Sequence, residues 1–300
     1  MNVQTSQPRT VQLEDPRTRF AGPPPPQEQE PTGSEKQMRP RPDYGEETYV
    51  GSGKLTGLVA LVTGADSGIG RAVALAYARE GADVVVSYLE SEQDAAETIR
   101  AVEEAGRRAI DAPGDIRDEG HCRRLVQRTV DELGRLDILV NNAAWQQRFE
   151  SIEEIDDEEW RRTFETNVDA MFYLCRAAAP HMQPGASIIN TASVQAYSPS
   201  ANLLAYATTK GAIVSFSKAL AQMLGKQGIR VNAVAPGPIW TPLIPATTPA
   251  EGVEKFGAET VLERPGQPVE LAPVYVLLAS PEASYITGTV YVVAGGMPLP

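Results

Sequence analysis

Short apolar runs alternate with longer amphipathic stretches along most of this chain. Residues 58–62, Leu-Val-Ala-Leu-Val, form an unbroken apolar run of strand length, followed by a glycine-rich turn and a helical pattern over about 68–80. Similar runs at 83–87, 108–112, 136–140, 187–190, 229–234 and 290–293 predict further strands. Helical spacing fills the intervals at about 91–106, 118–133, 156–181 and 268–279, and in a stretch from Tyr206 through Ile213, Phe216 and Leu220. Strands apolar on both faces are covered on both sides, and regular alternation with helices calls for parallel crossovers. The pattern predicts an α/β fold: one doubly wound, parallel, seven-stranded sheet with helices on both faces. Ligands of such sheets bind at the carboxyl ends of the strands, so the loops there are where chemistry is sought.

Residues 1–50 break the pattern, with Pro23 to Pro26 in a row, Gln and Glu interspersed, and almost no aliphatic periodicity. Such a segment cannot by itself bury enough apolar surface to offset its ordering entropy, so it is either disordered or laid as an extended arm over a folded surface. Phe20, Tyr44, Tyr49 and Val50 are spaced like anchors and favour the arm, which is long enough to lie on its own domain or clasp a neighbouring subunit. The chain therefore divides into an arm, 1–50, and a single folded domain, 51–300. Within the domain, the Pro-, Thr- and Gly-rich segment at about 237–266 reads as a mobile loop over a substrate.

Composition narrows the partners. An apolar content of 42% over 300 residues is enough for a full core. A net charge of −12 repels phosphate backbones and anionic lipid surfaces, and no basic stripe overrides it, so neither nucleic acid nor a membrane is expected as a partner. Cys122 and Cys175 lie in predicted helices without Cys-x-x-Cys or Cys/His spacing, and read as reduced thiols with no metal site. His121 and His181 are isolated. No stretch approaches the roughly 18 apolar residues of a membrane span and no charged-then-apolar signal opens the chain, so a soluble cytoplasmic protein is expected.

Two features carry chemistry. Thr63-Gly64-Ala65-Asp66-Ser67-Gly68-Ile69-Gly70 joins the first strand to the first helix. Glycines at this spacing allow a tight turn, close approach of backbone N–H groups to a pyrophosphate, and tight packing of the new helix, whose N-terminus favours negative charge. A plain strand-to-helix turn uses the same residues, while the lack of Gly-Lys-Ser/Thr excludes a P-loop. Tyr206 and Lys210, four residues apart, share one helix face. A cation beside a phenol favours the phenolate and lowers its pKa from about 10 toward working pH, making the tyrosine a proton donor and acceptor. The same spacing also describes a half-buried tyrosine beside a solvated lysine.

The glycine turn at 63–70, Asn141-Asn142-Ala143-Ala144 after the fourth strand, Ser193 after the fifth, Tyr206-x-x-x-Lys210 and Pro236-Gly237 after the sixth together resemble the motif set of the classical short-chain dehydrogenases/reductases. The match covers about residues 55–295. Asp66 within the turn, the Pro-rich arm and the closing Gly295-Gly296-Met297-Pro298-Leu299-Pro300 are similar to a bacterial subgroup that includes general-stress proteins and aldehyde-reductase-like oxidoreductases. Ala294 departs from the acidic residue many members carry there.

The resemblance implies a Rossmann-type domain and direct, metal-free hydride transfer between a small alcohol or carbonyl substrate and NAD or NADP. It assigns Tyr206 as general acid/base, Lys210 as the cation that lowers its pKa and binds the nicotinamide ribose, Ser193 as the hydroxyl orienting the substrate oxygen, and Asn167 as the support of a proton-relay water. It places the cofactor against Gly64, Asp66, Ser67, Gly68, Ile69 and Gly70, against Tyr88 at the end of the second strand, and against Asp115 and Ile116 at the adenine. Asn142, Ala143, Ala144 and Thr191 would line its middle, and Pro236, Gly237, Ile239 and Thr241 its nicotinamide. Tyr88 stands where NAD-specific relatives carry Asp, and Ser67 where NADP-specific relatives carry Arg or Lys. Asp66 would repel a 2′-phosphate, which tilts the expectation toward NAD. Substrate contacts are expected from 145–148, 194–197 and 240–264, with Trp145 and Trp240 either closing over the substrate or packing in the core. A homotetramer is implied, built on the helices holding Asn167 and Tyr206. The competing reading is a dinucleotide-binding sensor or structural stress protein on the same fold with little turnover.

Overall fold

The computed structural model describes residues 13–30 and 32–297. The first twelve residues of the expected arm, and Pro298 to Pro300 of the closing motif, lie outside the described residues. The strands are β1 (Val59–Thr63), β2 (Asp83–Tyr88), β3 (Ala109–Pro113), β4 (Ile138–Asn141), β5 (Ser187–Thr191), β6 (Arg230–Pro236) and β7 (Val290–Val293). They form one sheet in the order β3-β2-β1-β4-β5-β6-β7, and every pairing is parallel. The chain reverses its winding direction between β1 and β4, the switch point where a ligand crevice opens.

Helices cover both faces. On one face α1 (Gly68–Arg79) and α9 (Pro268–Ala279) pack together, with α2 (Glu92–Glu104) beside α1, enclosing Val73, Tyr77, Leu271 and Tyr275. On the other, α3 (Glu119–Leu133), α5 (Ala170–Ala178) and α6 (Leu204–Gly225) enclose Leu125, Met171, Leu174 and Ile213. Local chemistry fixes where the helices begin and end. The Asp118 carboxylate accepts from Gly120 N at the start of α3, and Gly134 ends that helix at φ +83°. Pro268 opens α9 behind a Gln267/Glu270 capping box.

The single helix predicted over 156–181 is divided. It comprises α4 (Asp157–Phe164), one π turn (Glu165–Asp169), α5 and a closing 3₁₀ turn (Ala179–His181). A π turn adds a residue to the helical repeat, which no hydrophobic period reveals, and such turns gather at functional sites.

The arm lies on its own chain, and it reaches into the core. Tyr44 is buried under α1 and α9, and Met38 packs with Trp240, Ile244 and Val253. Gln29 N donates to Pro245 O at 2.8 Å, Trp240 Nε1 to Pro40 O at 2.8 Å, and Arg264 Nε to Pro16 O at 2.8 Å. Of the expected anchors, Tyr49 donates its hydroxyl to Glu80, and Phe20 lies between the Arg19 and Arg264 guanidiniums. Val50 holds nothing, being 62% exposed.

Truncating a large buried aromatic costs about 3–5 kcal/mol. Tyr44→Ala is accordingly expected to lower the melting temperature by about 6–20 °C, at roughly 2–4 °C per kcal/mol for a domain of this size. An unchanged melting curve in differential scanning calorimetry would show that the arm's packing is incidental to the fold.

Candidate active site

A cavity of about 420 Å³ follows the carboxyl ends of the strands. Every residue that the sequence assigned to cofactor or chemistry lines it, except Gly70 and Asn167. Gly70 has a structural duty: a Cβ there would lie 1.9 Å from Gly64 O, so the glycine lets α1 close against β1. Asn167 sits behind the cavity wall in the π turn. Its Oδ1 accepts from Trp145 N at 2.7 Å, and its Nδ2 donates to Trp145 O at 2.9 Å and Thr209 Oγ1 at 3.0 Å. Both ends of the amide are spent on protein atoms, so the side chain ties the loop after β4 to α6.

The dinucleotide turn is braced from two sides. Thr63 Oγ1 accepts from Asn142 N at 3.0 Å and Ala143 N at 3.1 Å, while Asn142 Nδ2 donates to Thr63 O at 3.0 Å and Gly64 O at 3.2 Å. Gly64 is held at φ +61°, where a Cβ would press on Ala143. Ser67 and Ile69 then face the cavity at the N-terminus of α1, a cradle that fits the pyrophosphate of a dinucleotide.

One support of this turn was invisible in the sequence. Glu35, fully buried, accepts from Gly68 N at 2.9 Å through Oε1 and pairs with Arg71. Thr32 and Gly33, just before it, line the cavity. Burial pushes the Glu35 carboxyl up to about 7, against the pull of Arg71. In the sequence Glu35 looks like Glu28 and Glu30 of the same polar arm, and only tertiary placement separates them.

At the end of β2, Tyr88 is buried, and burial followed by its hydrogen bond with Asp111 pushes its phenol up to about 12. Leu89, Glu90 and Ser91, which the sequence reading passed over, line the cavity beyond it. Asp115 forms a two-pronged pair with Arg117 at 2.6–3.1 Å, and this pair holds its carboxyl below the usual range. Asp66 opens onto the cavity, and burial lifts its carboxyl to about 6.

Ser193, Tyr206 and Lys210 come together from two elements. Ser193 follows β5, its Oγ accepts from Gln195 N at 3.1 Å, and its hydroxyl is near enough to pull the Tyr206 phenol down. Lys210 Nζ lies 5.2 Å from the Tyr206 ring centre and donates to Thr191 O at 2.8 Å. The expected lowering of the phenol by the lysine is reversed here. Burial pushes Tyr206 up to about 12, with Ser193 pulling the other way, and pushes Lys210 down to about 7. Removing two groups from water penalises both charged forms, and at this separation desolvation outweighs their mutual support.

Of the two tryptophans, Trp145 lines the cavity under the Arg162 guanidinium, 3.5 Å from its ring centre, with Nε1 donating to Glu159. Trp240 is buried against Met38 and does not face substrate. The loop predicted to be mobile carries two short helices, α7 (Leu243–Thr247) and α8 (Ala250–Val253), and the arm is hydrogen-bonded to both. Among the described residues, no helix is long and apolar enough to cross a membrane.

A family model described as enoyl-(acyl carrier protein) reductase matches residues 64–298. The chain is 54% identical over 264 residues to the uncharacterized oxidoreductase YhdF of Bacillus subtilis, covering 88% of this chain and 91% of that one. It is 48% identical over 271 residues to the chloroplastic NADPH-dependent aldehyde reductase 1 of Arabidopsis thaliana, covering 88% and 94%. A short-chain dehydrogenase from Burkholderia cenocepacia, solved in complex with NADP, superposes with a TM-score of 0.77 at 33% identity, covering 81% of this chain and 99% of that one. These similarities support a nicotinamide dinucleotide, and the tilt toward NAD finds no support in them.

The buried lysine carries a testable pH signature. Lysine titrates near 10.5 in the unfolded chain and near 7 here. Between those values the unfolded chain binds more protons, so the native protein gains stability as pH rises. Lys210→Met lacks that gain. The melting temperature of the parent minus that of the variant should therefore increase from pH 7 to 9.5, and a constant difference would show that burial does not lower the Lys210 pKa.

Proposed function

Because this chain belongs to the classical short-chain dehydrogenase/reductase family, we propose that it interconverts an alcohol with an aldehyde or ketone, using NAD or NADP and Tyr206 as general acid/base. The observation that carries the reading is the meeting of Ser193, Tyr206 and Lys210 on one wall of a cavity that also holds the dinucleotide turn. When bound, the nicotinamide would supply or accept the hydride. The turn would hold the pyrophosphate, Asp115 and Ile116 the adenine end, and Pro236, Gly237, Ile239 and Thr241 the nicotinamide.

In the reducing direction, negative charge grows on the substrate oxygen as the carbonyl carbon becomes tetrahedral. Ser193 and Tyr206 hydroxyls are placed to donate to that oxygen, and charge-directed donors of this kind are a major source of rate. A phenol near 12 stays protonated at neutral pH, ready to pass its proton to the oxygen. The resulting phenolate then stands beside Lys210, whose ammonium lowers the cost of that charge. In the oxidising direction the same groups act in reverse. Asn167 is a positioning residue in this scheme, fixing the Trp145 loop and, through Thr209, the turn of α6 that carries Lys210.

The finer expectations, a cytoplasmic homotetramer built on α5 and α6, belong to this proposal. Phe172 on α5 and Met223 on α6 are exposed, as an interface requires. Light scattering should give four times the chain mass, and Phe172→Glu should reduce it.

Tyr206→Phe tests the chemistry. Loss of a positioned acid/base is expected to lower kcat by about 10²–10⁴, with NADPH or NADH affinity by fluorescence titration unchanged. Equal binding with turnover by neither protein, on aldehydes, ketones and sugars, would favour a sensor or structural role over an enzyme.

A further inference from the structure

Arg148, on the wall of the substrate cavity, is a cation without a counter-charge among the described residues. It follows the Trp145 loop and packs beside the short 3₁₀ turn Ala201–Leu203 that leads into the Tyr206 helix. Its Nη1 donates to Asn202 Oδ1 at 3.3 Å, and the neighbouring main chain is fixed by Phe149 N donating to Asn202 O at 3.1 Å. The guanidinium is thereby moored one helical turn ahead of Tyr206. Of its five N–H donors, this is the one with a partner among the described residues, and Nε is sealed from solvent with none.

The surroundings do not neutralise it. Glu150 influences it from a distance without pairing, and the loop residue Glu259, on the same cavity, forms no ion pair with it. Gln195 and Ser200 beside it are spent on each other, through Gln195 Nε2 donating to Ser200 Oγ at 3.0 Å and Ser200 N to Gln195 Oε1 at 2.7 Å. Burial lowers the Arg148 pKa, yet arginine keeps its charge at any working pH. The other cavity arginine without a carboxylate contact, Arg162, differs: it lies flat on Trp145, beside a hollow lined by Glu90, Asp156 and Glu159.

A part-buried guanidinium with unspent donors fits a planar oxyanion better than any neutral group. We propose that Arg148 is a specificity-determining residue that binds a carboxylate or phosphate substituent of the substrate, so that the favoured substrates are anionic aldehydes, ketones or the corresponding alcohols. The assignment rests on the oxidoreductase reading above for the reaction, but not for the binding. Leu203 and Trp145 supply apolar surface around the remainder of such a molecule.

The test pairs substrates that differ in charge alone as nearly as chemistry allows: 4-formylbenzoate with its methyl ester, and 4-oxobutanoate with butanal. For the parent protein with NADPH, kcat/KM should favour the anionic partner by about 10- to 100-fold, the range of a charge-assisted hydrogen-bonded pair. In Arg148→Gln that preference should fall to near unity, chiefly through KM of the anion, and Arg148→Lys should restore part of it. Terephthalate, which cannot be reduced, is titrated in parallel by calorimetry with NADPH bound. Terephthalate binding to the parent and not to Arg148→Gln, with no aldehyde turned over, would uphold the anion site while the reaction reading falls. Turnover with no preference for anions, or a preference that Arg148→Gln retains, would overturn the anion site and leave the oxidoreductase standing. Neither binding nor turnover would overturn both.

Discussion

Everything at the active face depends on how closely the first helix approaches the first strand. Gly70 places helix backbone where a Cβ would collide with Gly64 O. That contact sets the angle at which α1 leaves the sheet, and so where its N-terminal N–H groups point. Because a crevice opens between β1 and β4, the turn also meets the loop after β4, and Asn142 and Thr63 lock the two together. Parallel topology supplies the crevice, while a few absent side chains decide that it is shaped for a phosphate.

Desolvation is the second constraint. Lys210 and Tyr206 are enclosed by the same wall, and burial drives the two toward their neutral forms. Burial brings the lysine to about 7, and its Nζ donates to Thr191 O. Such a lysine is a tuned element, since modest changes in nearby charge alter its protonation at neutral pH. The site is costly to the fold in the sense common to catalytic centres, and the apolar layers under α1, α9, α3 and α6 supply the stability that tolerates it.

The arm links these two features to the loop above the substrate. A carboxylate at a helix N-terminus is favoured by the dipole, and Glu35 takes that place at Gly68 while Arg71 balances its charge. A few residues on, Met38 and Pro40 hold Trp240, so one extended segment braces both the turn and the loop. A stretch without periodicity has thus become part of the wall of the site.

The fold was legible because burial on both faces of a strand leaves an unbroken apolar run, and seven such runs separated by helices admit few topologies. The turn, Ser193, Tyr206 and Lys210 were legible because their spacing and order relative to those strands are local facts. The π turn, the partners of Asn167 and the burial of Trp240 were not, because each depends on what lies opposite in space. The sequence by itself determined the sheet, its order of elements and the residues that could do chemistry. Tertiary structure alone decided that Glu35 supports the turn, that burial outweighs the lysine at Tyr206, and that Arg148 has no counter-charge among the described residues. Those outcomes are set by dielectric surroundings and by contacts between segments far apart in the chain, and neither is encoded in any local pattern.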